Sequence, residues 1–327
     1  EYTTCPPDAE DWLLQGKSII LDTAEGTGTA RGMKLRFKNV PIIYLPYISF
    51  PIGDSRKSGM LTPEIGSAGR SGNEVRVPFY WNIAPNYDAT ITPRVLTSRG
   101  LLLETQFRYL TRRNGGTLSA AYLPDDSILD RERHHVRFEH KTLFDNGWRN
   151  RIRFREVSDS QYFEDLGGSL SVSSTTHLDR NLRFDYYSDR FSLFAQAQDF
   201  QTIDDTILPA DEPYRRVPQL LANVNWPAGV FRIGIDSEFV NFDRDTGVTG
   251  WRMNAAPSIE IPIGKPGWFF TPAVALDYTR YELSNTLPGE NTSPTRSVPI
   301  TSVDTGLILE RTMANANRIQ TIEPRML

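Results

Sequence analysis

The 327-residue chain is poor in groups that do chemistry: it has one cysteine, Cys5, and four histidines. A lone thiol gives no internal disulfide framework; in an oxidising compartment it suggests a partner elsewhere, and in the cytosol it is usually inert. No run of 18 or more apolar residues occurs, which excludes a transmembrane helix. Lysine and arginine number 36 against 40 aspartate and glutamate, and the net charge of -4 argues against a general nucleic-acid binder. There is no glycine-rich phosphate cradle, because Gly66, Gly69 and Gly72 fall in the turns of an expected hairpin and not between a strand and a helix. The opening Glu1-Tyr2-Thr3-Thr4 has neither a basic region nor an apolar core, so no signal peptide heads the chain. The expectation is a piece of a longer mature protein.

Alternation takes the place of these features. Leu103, Thr105, Phe107 and Tyr109 oppose Glu104, Gln106 and Arg108, and Leu182, Phe184 and Tyr186 oppose Arg183 and Asp185. Successive side chains of a strand point to opposite faces, so each segment is half apolar and half polar. The strongest case is Trp148 to Arg155, where Arg149, Arg151, Arg153 and Arg155 share one face. Two readings of that face stand side by side: attraction of phosphate or acidic sugars, and pairing with nearby carboxylates. The stretches Asp179–Phe200 and Gly229–Arg244 read as hairpins. Asp125-Asp126-Ser127, Gln201–Pro213 and Glu282–Pro299 read as polar linkers. The pattern predicts an all-β chain with on the order of a dozen strands after residue 60. A transmembrane barrel alternates in this way and keeps the mean hydropathy low, here -0.41. A soluble β-sandwich also alternates; the charge of the polar faces and the length of the strands favour the barrel.

Candidate catalytic and metal sites are weak. Gly53-Asp54-Ser55 resembles the opening motif of some lipases, but no histidine lies in a matching context, so a polar turn is the better reading. His134 and His140 share a strand face about 20 Å apart along the backbone, too far to ligate one ion. No enzymatic activity, metal or cofactor is expected.

The most distinctive stretch is Val40 to Arg94, where prolines 41, 46, 51, 63, 78, 85 and 93 recur within aromatic, strand-like segments. Proline lacks the ladder N–H, so sheet pairing is locally weakened there. The blocks VPIIYLPYISFPIGDSRKSGML and VPFYWNIAPNYDATITPR closely resemble the LPS-assembly outer-membrane protein family, LptD (OstA/Imp). The resemblance is nearly gap-free from about Trp12 to Leu110, looser beyond it, and returns near Ile322-Glu323-Pro324-Arg325.

That resemblance implies that residues 1–58 form the C-terminal part of a periplasmic β-jellyroll, with the rest of that domain upstream. Residues 59–327 would be the N-terminal portion of an outer-membrane β-barrel, roughly its first half. The implied function is transport of lipopolysaccharide (LPS) from a periplasmic bridge, built of LptA, through the jellyroll and a lateral barrel gate to the outer leaflet of a Gram-negative bacterium. Pro63 and Pro78 would flank the gate. Met33, Leu35 and Phe37 would line the lipid path, and the arginine face 149–155 would lie in the lumen, where the lipoprotein LptE is expected to plug the barrel. Cys5 matches a family cysteine whose disulfide partner lies outside this chain. A passive porin is the first alternative; it accounts for the strands but not for the proline-rich seam. A barrel lipid hydrolase and a soluble sandwich binding module are the others.

Overall fold

The computed structural model describes residues 12–23, 26–37, 40–51, 56–167, 175–313 and 318–327. The fold is all-β and antiparallel, with one five-residue helix among the described residues. Two compact units divide the chain: Glu1–Phe138 with Arg155–Ser174, and Glu139–Phe154 with Thr175–Leu327.

The first unit opens with β1 (Trp12–Gln15), β2 (Ser18–Asp22), β3 (Thr27–Phe37) and β4 (Val40–Pro51). β3 is the spine of this sheet: β1 and β2 pair successively along one edge and β4 along the other. A second sheet follows, made from β5 (Gly59–Met60), β6 (Glu64–Ala68), β7 (Gly72–Arg76), β8 (Phe79–Ala84), β9 (Tyr87–Leu96), β10 (Gly100–Leu110) and β11 (Asn114–Asp126). The next hairpin, β12 (Arg131–Leu143) and β13 (Trp148–Val157), divides between the units, and α1 (Tyr162–Leu166) follows it.

Register sorts the side chains of the second sheet. Thr92 faces Glu104, Thr90 faces Gln106 and Asp88 faces Arg108 across β9 and β10, with Ala121 and Ser119 next in the same row. The other face carries Ile65, Val75, Phe79, Trp81, Val95, Leu101, Leu103, Leu118 and Tyr122, all exposed. An apolar face of this extent is far larger than the scattered apolar residues of a water-facing surface.

The second unit continues through β14 (His177–Tyr187), β15 (Phe191–Thr202), β16 (Arg215–Ala228), β17 (Phe231–Asp243), β18 (Thr249–Glu260), β19 (Ile263–Lys265), β20 (Trp268–Ser284) and β21 (Thr295–Leu307). A small hairpin, β22 (Leu309–Met313) with β23 (Arg318–Ile322), precedes β24 (Arg325–Met326), which returns to β21. Turns 188–190 and 229–230 are short, whereas 203–214 and 285–294 are long, the asymmetry of outer-membrane barrels.

The pairing of Asp179 with Phe200 bears out the first expected hairpin. Gly229–Arg244 does not form one: it is the single strand β17, because Gly234 stays extended within the ladder opposite Asn225. The expected linker at 282–299 is also shorter, since β20 runs to Ser284 and β21 starts at Thr295. Both corrections lengthen strands, as expected where neighbours on both sides supply ladder hydrogen bonds that local turn propensity does not anticipate.

Candidate functional site

The proline positions form a defined lesion in the sheet. β5 pairs with β8 through Met60↔Phe79, and β6 pairs with β7 through Glu64↔Arg76. Three residues, 61–63, therefore lie opposite two, 77–78, and the register slips by one. Neither Pro63 nor Pro78 has an N–H to donate, and within this gap Leu61 N–H donates to Pro78 O at 2.8 Å. The other edge of the same strand is intact. Glu74↔Leu96 and Phe79↔Ile91 keep one register past Pro78, and Val77 N–H donates to Pro93 O at 3.1 Å. The break is confined to the side facing β5 and β6.

Beyond the gap the first strand is held firmly. The Arg56 guanidinium pairs with Asp88, donates to the Tyr80 hydroxyl at 2.6 Å and to Pro85 O at 3.1 Å. Ser58 Oγ accepts from Asn82 N–H at 2.8 Å. The strand is thus pinned at its start and at its β6–β7 end, and loosely tied between them.

A second constellation, not anticipated from the sequence, lies where the 158–167 connection folds onto the polar face of the first unit. Arg133 is fully buried. It donates to both oxygens of Asp159 (2.7 and 2.9 Å), to Asp126 (3.0 Å) and to Asp165 (2.8 Å). Arg99 completes the cluster against Asp126 at 2.7 Å and Asp165 at 3.0 Å. Next to it, Arg94 binds Glu74 and donates to Leu166 O at 2.8 Å, and Ser71 Oγ donates to Asp165 O. Tyr162 and Leu166 are buried, and the Arg133 guanidinium stacks 5.5 Å from the Tyr162 ring. Two arginines and three aspartates so arranged fasten α1 by charge-assisted hydrogen bonds. Asp125-Asp126-Ser127, expected as a polar linker, is a tight connection whose Asp126 is entirely buried. The available signal was opposite charges at the ends of successive strands: Arg99, Asp126, Arg133 and Asp159 each sit at or beside a strand end.

Burial raises the Tyr162 hydroxyl's pKa. For Asp159, burial alone would push the carboxyl up, but hydrogen bonds from Arg133 and Ser158 outweigh it and hold the group below the usual carboxylate range. A depressed folded-state pKa stabilises fully above the unfolded value, about 4, and is lost as pH falls through the folded value. Acidification from pH 7 to below 4 is therefore expected to free the 158–167 connection before the strands unfold. Limited proteolysis across that range checks this; equal cleavage at both ends of it contradicts the clamp.

The other expected residues are placed as follows. Met33 is buried, with its sulfur occupying the space a Cβ on Gly16 would fill. Leu35 and Phe37 lie on β3, but their side chains, and all of Cys5 and Gly53-Asp54-Ser55, lie outside the described residues. Arg149 stacks 5.3 Å from the Tyr187 ring, and Arg151 reaches Asp185 at 3.2 Å, so this part of the arginine face makes local contacts. His135 packs against Tyr162 and Phe163, and His140 contacts Thr142 Oγ1 at 2.7 Å. No metal-ligating group of His, Cys, Asp or Glu occurs among the described residues.

The sequence matches two family descriptions that overlap along the chain: LptD protein over residues 29–192, and LPS transport system D over residues 131–327. The chain belongs to the LptD family. LPS-assembly protein LptD of Nitrosomonas eutropha is 40% identical over 99% of this chain and 46% of its own length. The proteins of that name from Nitrosococcus oceani and Alkalilimnicola ehrlichii are also 40% identical over 99% of this chain, covering 45% and 44% of their lengths. The chain thus spans about half the length of the curated relatives it matches. Among solved structures, a bacterial polysaccharide outer membrane secretin aligns at TM-score 0.29 and 9% identity, over 75% of this chain and 83% of that one, too distant to bear on the fold.

Proposed function

We propose that this chain is the jellyroll-to-barrel portion of an outer-membrane LPS transporter. The single observation that carries the reading is the slipped, proline-flanked ladder at residues 61–63 and 77–78, on a sheet whose other face is apolar and exposed. The exposed face suits acyl chains, and the polar face suits water and sugars. A strand tied to its neighbour by two short ladders can swing at the gap between them. Such a strand at the barrel seam lets a glycan travel along the polar side while acyl chains leave sideways into the bilayer. Residues 1–58 are assigned to the jellyroll and 59–327 to the barrel, with the N-terminal part periplasmic. Met33, Leu35 and Phe37 lie on the lipid path, and Pro63 and Pro78 at the gate. The partners in this reading are LPS, an LptA-type bridge and an LptE-type plug, with Cys5 disulfide-bonded to a cysteine outside this chain. No catalytic step is assigned. A porin would share the amphipathic sheet but has no use for the weakened pair.

A photo-crosslinking residue at Leu35 in the full-length protein, in cells, tests the path. Adducts with newly made LPS are expected to rise and then decay as synthesis is pulsed and chased. Absence of adducts in a protein that folds and sustains growth would overturn the assignment.

A further inference from the structure

The polar face of the second unit contains a cleft of about 630 Å³. Four arginines line it: Arg151, Arg153, Arg183 and Arg216. Asp185 is engaged by Arg151 at 3.2 Å and Arg183 at 2.5 Å, and Asp179 accepts from Gln198 at 2.9 Å. Arg153 and Arg216 have no hydrogen-bond or ion-pair partner among the described residues, and Arg216 Nε is shielded from solvent without an acceptor. Two cations therefore face the cleft uncommitted.

The backbone is bent to bring one of them there. β15 and β16 pair as Gln196↔Gln219 and then as Gln198↔Arg216, so Val217 and Pro218 oppose a single residue, and β17 sees the same extra residue. In unbroken alternation Arg216 would point to the apolar face, opposite Gln219. The bulge returns it to the polar face, across from Gln198 and on the side of Arg153. Bulges commonly serve to re-aim a side chain in this way. Between the cations runs a chain of amides: Asn181 donates to Gln196 at 2.9 Å, Gln196 to Gln219 at 2.6 Å, and Gln219 to Glu238 at 2.6 Å. Side-chain amides both donate and accept, which matches sugar hydroxyls, and guanidinium forks match phosphate oxygens.

We propose that this cleft binds a phosphorylated saccharide, with Arg153 and Arg216 taking the phosphate and the Gln196–Gln219 amides taking hydroxyls. Attribution of that saccharide to the sugar portion of LPS rests on the transport reading above; the cleft chemistry does not.

The test places a photo-crosslinking residue at Leu221, which lines the cleft, in the full-length protein in cells. LPS adducts are expected there. The R153Q/R216Q pair should lower their yield about tenfold, as loss of hydrogen bonds to a charged group implies, and R153K/R216K should restore part of it. Adducts from a probe at Leu35 should not change. A strain that makes unphosphorylated core sugars should lose the same yield with the wild-type protein and lose nothing further with the glutamine pair. Three outcomes overturn the cleft and leave transport standing: adducts at Leu35 but none at Leu221, adducts at Leu221 indifferent to both arginines, or adducts at Leu221 with a protein in place of LPS. If Leu35 gives no adducts, transport fails, and the cleft is decided on the purified full-length protein in detergent micelles. Binding of phosphorylated over dephosphorylated core oligosaccharide by about tenfold, lost in R153Q/R216Q, supports it; equal binding overturns it.

Discussion

Replacing Arg133 with methionine is expected to destabilise the first unit by about 3–5 kcal/mol, the range for removing one partner of a buried ion cluster. Methionine approximates the length of the arginine stem, so little volume is lost. What remains is Asp126, Asp159 and Asp165, buried with Arg99 and the partly exposed Arg70 and Arg131 as the remaining cations around them. Arg133→Lys should be intermediate: it keeps the charge but cannot grip both oxygens of Asp159 while reaching the other two carboxylates. The measurement is the urea concentration at which heat-modifiable electrophoretic mobility of the full-length protein is lost. Wild-type resistance in R133M would mean that the cluster does not hold α1.

The second large effect is functional. Pro63→Ala with Pro78→Ala supplies two N–H groups where the ladder now has a gap. If each forms a hydrogen bond of about 1 kcal/mol, opening of the pair becomes about thirtyfold rarer. Delivery of new LPS to the cell surface should fall steeply while folded protein in the membrane stays at the wild-type level or above. That combination distinguishes a stiffened gate from a damaged protein, which would lose both. The single substitutions should lie between, because each supplies only one of the two missing N–H groups. Unchanged delivery by the double variant would show that the gap does not limit passage.

How much of this was legible in the sequence follows from which interactions are local. The alternation of Leu103–Tyr109 fixed the faces of β10, because side-chain period in a strand is a property of the backbone alone. The prolines announced a weak ladder for the same reason. The one-residue slip at 61–63 could not be read, since register depends on the partner strand. The Arg133 cluster draws on residues 99, 126, 133, 159 and 165, brought together by hairpin stacking and by a five-residue helix too short for a helical pattern to register. Arg216 was hidden twice. Simple alternation assigns it to the wrong face, and only the bulge at Val217 and Pro218 places it with Arg153. The sequence also suggested that Arg149, Arg151, Arg153 and Arg155 act as a set, whereas Arg149 and Arg151 are engaged locally and Arg153 is open.

The most direct test of the central claim puts a photo-crosslinking residue at Leu61, inside the gap, and compares it with Val95 on the exposed apolar face of the same sheet. If the weakened pair is the exit, LPS adducts at Leu61 should exceed those at Val95 by about tenfold or more, and the excess should vanish in P63A/P78A. Equal labelling at the two positions, unaffected by the proline replacements, would mean that lipid merely surrounds the sheet and that the gap is not the route.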